Sequence, residues 1–241
     1  MNQLPAHSKL RILQSVIAVV GCDGSGKSSL TTDLNNLLGE TRPTRLLYLG
    51  QSSGNIGAWI KALPLIGTPA GRYLARKAES SHDKTTKTTD KATALAIFCL
   101  SLWRAYKFRR MLSLNNRGVV VVTDRYPQAQ ISGFYYDGTG LGAVKTNSWL
   151  VRKLAAVEFR LYQWMANHVP ALVIRLNVDA DTAHARKPDH KLSVLKDKVT
   201  VIPNLRFNGA QVLDLNGCAP YQEVLSTALQ AAGNAIKKQQ P

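Results

Sequence analysis

Acidic residues are scarce in this chain of 241 residues: 15 Asp and Glu stand against 31 Lys and Arg, giving a formal net charge of +16. The imbalance is local, because residues 61–117 hold 12 basic and 3 acidic side chains and so supply +9 of the total. Such an excess points to anionic partners, whether nucleic acid, an anionic membrane surface or phosphorylated small molecules, and does not choose among them. Cysteine is scarce too. Cys22, Cys99 and Cys218 are odd in number, scattered and without metal-ligand spacing, which argues against a disulfide framework or a zinc site and suits a reducing cytosol. Long apolar runs are absent; the longest, around residues 92–103, falls short of the roughly 20 residues a membrane-spanning helix needs. No repeat, coiled-coil pattern or linker appears, so residues 1–241 are expected to form one domain.

What is present is a soluble composition, 45% hydrophobic and 7% aromatic, arranged as strands alternating with helices. Residues 1–14 read as an irregular arm. Lys9 and Arg11 before an apolar run ending at Cys22 imitate a lipoprotein signal, but Gln14 and Ser15 interrupt the run. Residues 15–20 (SVIAVV) instead predict a strand buried on both faces of a parallel sheet. Residues 28–38 carry leucines at helical spacing, with Gly39 as a C-terminal cap. Residues 45–49 give a second strand running into a Gly/Ser-rich loop, and 79–91 read as a mobile surface loop. Leu95, Phe98, Cys99, Leu102 and Tyr106 share one helical face, expected to pack on the sheet, with Arg104, Lys107 and Arg110 elsewhere. Residues 119–122 predict another central strand.

A long helix over 148–167 sets Leu150, Leu154, Val157, Leu161 and Trp164 on one side and is closed by Pro170. A strand over 171–178, a short helix over 180–186, a strand over 211–215 and a helix over 221–237 complete the pattern. The fold class expected is α/β, five parallel strands in one sheet covered by helices on both faces.

The chemistry concentrates at Gly21-Cys22-Asp23-Gly24-Ser25-Gly26-Lys27-Ser28, followed by Ser29. Its glycines let consecutive backbone N–H groups turn inward, forming an anion nest at a helix N-terminus. Lys27 is placed to reach the β- and γ-phosphates of ATP, and the Ser28 hydroxyl to ligand Mg2+. Asp124 and Arg125 end a buried strand, where ligands of open α/β sheets bind. There Asp124 can hold the Mg2+ shell and Arg125 can offer a fork to phosphate oxygens; a purely structural Asp–Arg pair is the alternative.

These motifs resemble the thymidylate kinase branch of the nucleoside monophosphate kinases, which carry a G-x-D-G-x-G-K-[ST] loop and an Asp-Arg-Tyr after a central strand, here Gly21–Ser28 and Asp124-Arg125-Tyr126. The likeness in element order covers residues 15–237 and implies the P-loop NTPase fold, with its five-stranded parallel sheet. It implies ATP and Mg2+ as cofactors and a phosphorylated acceptor, dTMP being the first candidate. It also implies that Asp23 contacts the acceptor's sugar hydroxyl, Arg125 grips its phosphate beside Tyr126, and Lys27 stabilises the transferring group. A lid over residues 186–198 is implied as well, with Arg186 reaching the ATP phosphates and Lys187, His190 and Lys191 nearby.

Departures from the family fall on the acceptor side. Gly50-Gln51-Ser52-Ser53-Gly54 stands where the family has Arg-Glu-Pro-Gly-Gly, so the arginine after the second strand is missing. Arg104 is out of register with the family's helix arginine, and Phe134-Tyr135-Tyr136 with its base-stacking segment. The acceptor therefore stays open between a nucleoside monophosphate and a phosphorylated sugar or membrane-associated glycan intermediate. A nucleic-acid-binding ATPase is disfavoured, since no recognition helix or aromatic-interleaved basic strand is present. A homodimer and an anionic membrane surface contacted through 61–117 remain open as partners, in a cytoplasmic protein that could also sit peripherally on a membrane.

Overall fold

A computed structural model of the chain describes residues 10–50, 91–133, 136–142, 144 and 146–237. Residues 61–90 of the basic stretch, among them nearly all of the expected loop at 79–91, lie outside them, as do Phe134 and Tyr135.

Strand β1 (Arg11–Gly21) is the centre of the sheet, between β3 (Val120–Asp124) and β4 (His168–Asn177). The edges are β2 (Thr44–Tyr48) beside β3 and β5 (Val212–Asn216) beside β4. Every pairing is parallel, in the order β2-β3-β1-β4-β5, as the uninterrupted β-branched runs require of strands covered on both sides. The expected five-stranded parallel α/β fold is thus the one observed.

One face of the sheet, with Ile17, Val19, Val122 and Leu172, packs on α1 (Lys27–Gly39) and on the C-terminal helix α6 (Tyr221–Lys237). The other, with Val16, Ala18, Val121 and Val173, packs on α2 (Lys91–Asn116) and α3 (Trp149–Ala166). Helices α4 (Ala180–Arg186) and α5 (Leu192–Val201) follow β4 at the end of the sheet where the glycine loop lies. Ile17 is fully buried in β1. Ile17→Val removes one methylene from this packed layer and is expected to lower stability by about 1 kcal/mol, read as a lower urea midpoint with an unchanged slope.

Three expectations need correction. The first strand begins at Arg11, so residues 11–14 belong to the sheet and not to an arm. Arg11, Ile12 and Leu13 pair with His168, Val169 and Pro170, and the register then shifts before Ile17 meets Leu172. That irregularity is where a strand can accommodate a residue without an N–H, which is why Pro170 sits inside β4 instead of closing the helix before it.

The second correction concerns α2, whose face is nearly the reverse of that predicted. Leu95, Leu102 and Tyr106 point to solvent, while Ile97, Ser101, Arg104, Ala105, Phe108 and Met111 turn inward. The third concerns α3, whose deepest positions are Val151, Glu158, Tyr162 and Met165; Leu154, Leu161 and Trp164 are half-buried and Val157 is exposed. Both rotated faces have one cause. Polar side chains that find partners inside, Arg104 on Asp137 and Glu158 on Ser101, outrank the apolar stripe.

Candidate functional site

The glycine loop follows directly from β1. Gly24 (φ 83°) and Gly26 (φ 93°) adopt left-handed backbone that β-carbon-bearing residues avoid. A β-carbon on Gly24 would also meet the Ala183 carbonyl oxygen at 2.5 Å, because α4 packs against the loop. Lys27 opens α1, is nearly fully buried, and donates from Nζ to the Cys22 carbonyl oxygen at 2.5 Å, spanning the loop from inside. Burial, and then the neighbouring Arg125 guanidinium, bring its ammonium down to about 8 against the partial support of Asp23 and Asp124.

Register places the Asp-Arg turn beside this loop. Val19 faces Asp124, and the Arg125 N–H donates to the Val19 carbonyl oxygen at 3.0 Å. The Ser28 hydroxyl donates to Asp124 Oδ2 at 3.3 Å, while Asp124 Oδ1 is buried with no hydrogen-bond partner. Burial raises the Asp124 carboxyl above its ordinary value, with Lys27 and Arg125 pulling the other way. A serine hydroxyl beside a carboxylate with an unengaged oxygen is an all-oxygen donor set, which fits a hard cation such as Mg2+.

Asp23 is the hub of the charges here. Arg125 Nη2 donates to its Oδ1 at 2.6 Å, and the Lys198 ammonium, from α5, bonds its Oδ2. Burial would push this carboxyl up, but Arg125, Lys198 and Lys27 outweigh it and hold the group far below the usual carboxylate range. Arg125 has a left-handed backbone (φ 70°), and its other terminal nitrogen lies 3.6 Å from Asp137. Asp137 in turn accepts from Arg104 at 2.8 Å; Arg104, with no exposed surface, also donates to the Asp137 carbonyl and lies over the Tyr162 ring. Opposite charges therefore alternate from Arg104 through Asp137, Arg125 and Asp23 to Lys198.

The turn after β3 that carries Asp137 is held by Gln128. Its amide donates to the Ile131 and Tyr136 carbonyls, and its amide oxygen accepts from the Gln130 and Ile131 N–H groups. Near the end of β2, Lys107 bonds the Gly50 carbonyl and lies over the Tyr48 ring at 5.2 Å. Burial, then Arg104, lower its ammonium to about 8. A cation therefore occupies the region where the sequence lacks an arginine.

The structure brings Gly21, Cys22, Asp23, Gly24, Ser25, Gly26, Lys27, Ser28, Asp124 and Arg125 together. Arg186, at the end of α4, donates to the Gly24 carbonyl at 3.4 Å and to the Gly217 carbonyl at 2.9 Å, so it touches the loop from outside. Ser29 is exposed in the first turn of α1, and Lys187 and Lys191 are exposed beyond Arg186. His190 lies 3.8 Å from Asp189.

Tyr126 does not join them. The left-handed Arg125 sends it inward, where its ring packs on Phe108 and its hydroxyl donates to the His168 carbonyl at 2.5 Å. With 1% exposure, it has no surface for an acceptor. Arg104, Asp137, Lys107 and Lys198 were missed by sequence reasoning. Their one shared signal is charge inside an otherwise regular element or turn, and it becomes specific only once the partners are adjacent.

A parallel sheet with a glycine loop between its central strand and a helix, an inward lysine, and a strand-end aspartate beside the loop serine defines an α/β protein of the P-loop type. The chain belongs to one family with two Escherichia coli K12 proteins. It is 50% identical over 221 residues to the uncharacterized ATP-binding protein YghS, covering 92% of this chain and 93% of that one. It is 45% identical over 219 residues to the uncharacterized ATP-binding protein YghR, covering 91% and 87% respectively. No protein-family model matches the chain.

Proposed function

We propose that this protein is an ATP-dependent phosphotransferase, similar to the thymidylate kinases, that moves the γ-phosphoryl group of ATP to a phosphorylated acceptor, a nucleoside monophosphate with dTMP as first candidate. One observation carries the reading: Lys27 on the Cys22 carbonyl, Ser28 on Asp124 and Arg125 on Asp23 are three neighbouring bonded pairs where β1 and β3 end, bringing cations and oxygen ligands together. The printed names of the two relatives, both ATP-binding proteins, support the nucleotide half. On this reading the backbone of Gly21–Ser28 cradles the phosphates, Lys27 meets the developing charge, and Arg186 closes over ATP from the lid side. Ser28 and Asp124 would hold Mg2+, which when bound neutralises phosphate charge.

Arg125 and Asp23 face the acceptor side, with Lys107 as a further cation there. Arg125 already bonds two carboxylates, so an incoming phosphate finds a guanidinium fixed in place, and positioning of this kind supplies much of the rate in phosphoryl transfer. A coupled ADP-release assay over a panel of nucleoside monophosphates tests the assignment. Phosphorylated sugars belong in the same panel, because no arginine stands just after β2. Turnover of none of them would remove the kinase reading.

Arg125→Ala is expected to raise KM for the acceptor about tenfold while leaving KM for ATP within about twofold, since one charged hydrogen-bonding partner is lost on one side only. A rise confined to the KM for ATP would put Arg125 on the ATP side instead.

A further inference from the structure

Among the described residues the outer faces of α2 and α3 carry exposed apolar side chains, and the proposed kinase chemistry does not use them. The two helices lie side by side on one face of the sheet, and their buried positions fix which sides turn away from it. On α2 the outward stripe includes Leu102, Trp103 and Tyr106, and on α3 it includes Trp149 and Phe159. Trp149 is 67% exposed and Tyr106 59%. Trp103 and Tyr106 stack on each other at 5.3 Å, an aromatic pair at the surface. Isolated exposed apolar residues need no account, but a two-helix face rich in them does.

The same face has a one-sided charge. Arg109 and Arg110 on α2, with Arg152, Lys153 and Arg160 on α3, are all exposed. Lys91–Asn116 contains no acidic residue at all. Trp149–Ala166 contains one, Glu158, which is fully buried and accepts from Ser101 and from the Gly140 and Leu141 N–H groups. No carboxylate of either helix therefore reaches its outer surface.

We infer that the outer face of α2 and α3 is a docking surface for an anionic lipid bilayer, with Trp103, Trp149 and Phe159 entering the headgroup boundary and the arginines and Lys153 meeting lipid phosphates. Charge decides among occupants. A second copy would oppose these cations with its own, and a nucleic acid would satisfy the arginines but not Leu102 or Val157, which have no π-face to stack on bases. A bilayer with anionic headgroups satisfies both sets, since amphipathic cationic side chains keep their charge in water while their stems and the aromatic rings sit in the interface. No helix among the described residues is long and apolar enough to cross a membrane, so the contact is peripheral.

The test is co-sedimentation of the full chain with vesicles of phosphatidylglycerol and phosphatidylcholine, against phosphatidylcholine alone. Binding to the anionic vesicles only, weakened by added salt and accompanied by a blue shift in tryptophan emission that Trp149→Ser reduces, is the expected result. Arg109→Ser combined with Arg110→Ser should weaken binding about 25-fold, each juxtamembrane charge being worth about a factor of five. The melting temperature of this variant should fall by no more than a few degrees, because neither side chain is in the core and Arg109 loses only its place over the Trp164 ring at 5.7 Å. Equal binding to neutral vesicles, no binding at all, or undiminished binding by the double variant would overturn the proposal. So would a stable dimer in light scattering that Trp149→Ser splits, or salt-sensitive capture of an RNA oligonucleotide by a protein that ignores the vesicles.

Discussion

Lys27→Ala is expected to lower ATP-dependent phosphoryl transfer by about 10²–10³-fold, the loss typical of removing one preorganised charge from a developing oxyanion. The side chain is nearly fully buried and spans the loop to the Cys22 carbonyl, so its ammonium is held in place before any ligand arrives. A single-turnover assay separates this from weakened binding, because the effect should fall mainly on the chemical step. A variant within about threefold of the parent would refute the role given to Lys27.

The same lysine predicts a pH dependence. Burial and Arg125 bring it to about 8, well below the ordinary lysine value, so the ligand-free protein loses this proton as pH rises past 8. Phosphate oxygens favour the charged form, and ATP binding above that pH must therefore take up a proton. Affinity should fall by up to about tenfold per unit above pH 8, and calorimetry in two buffers of different ionisation enthalpy should detect the uptake. For stability the sign is opposite. Between pH 8 and the ordinary lysine value the unfolded chain binds more protons at this site than the folded one, so this site makes the ligand-free fold more stable as pH rises through that window.

What could be read in the sequence follows from how far apart the determinants lie. The runs around Ile17 and Val121 identify central strands because burial on both faces leaves an unbroken β-branched signature. The loop is legible because its glycines, lysine and serine are consecutive and flanked by a strand and a helix. Asp124 and Arg125 are legible from their place at a strand end.

The network beyond them is not, because its bonds join residues that no periodicity links. Asp137 meets Arg104 33 positions away, and Lys198 meets Asp23 175 positions away. Reading Arg104 as an outward charge turned α2 nearly half a revolution. The same inversion hides the exposed Leu102 and Tyr106, whose apolar character alone reads as core. Tyr126 went astray for a more local reason: the left-handed backbone at Arg125 reverses the direction that strand alternation would give the next side chain.

Asp137→Ala should then be the most damaging single change to the fold among those considered, costing about 3–5 kcal/mol, because it leaves a fully buried guanidinium without its carboxylate. Among the described residues Arg104 then keeps the backbone carbonyl of residue 137, a long contact of 3.5 Å to the Tyr162 hydroxyl and its place over the Tyr162 ring. None of these balances a full charge where burial already disfavours it and Asp137 is the main counterweight. Asp137→Asn keeps the shape and one acceptor oxygen and should cost less. Replacing both partners, with Arg104→Met and Asp137→Asn together, should recover part of the loss, since no unpaired charge is then buried. Urea unfolding of the parent, Arg104→Met, Asp137→Asn and the double variant gives the coupling directly. The single variants should also raise the acceptor KM more than the ATP KM, because Arg125 rests on Asp137 from the side away from the loop. A loss under about 1 kcal/mol for Asp137→Ala would mean that water reaches Arg104, and that the charge chain does not hold Arg125 in place.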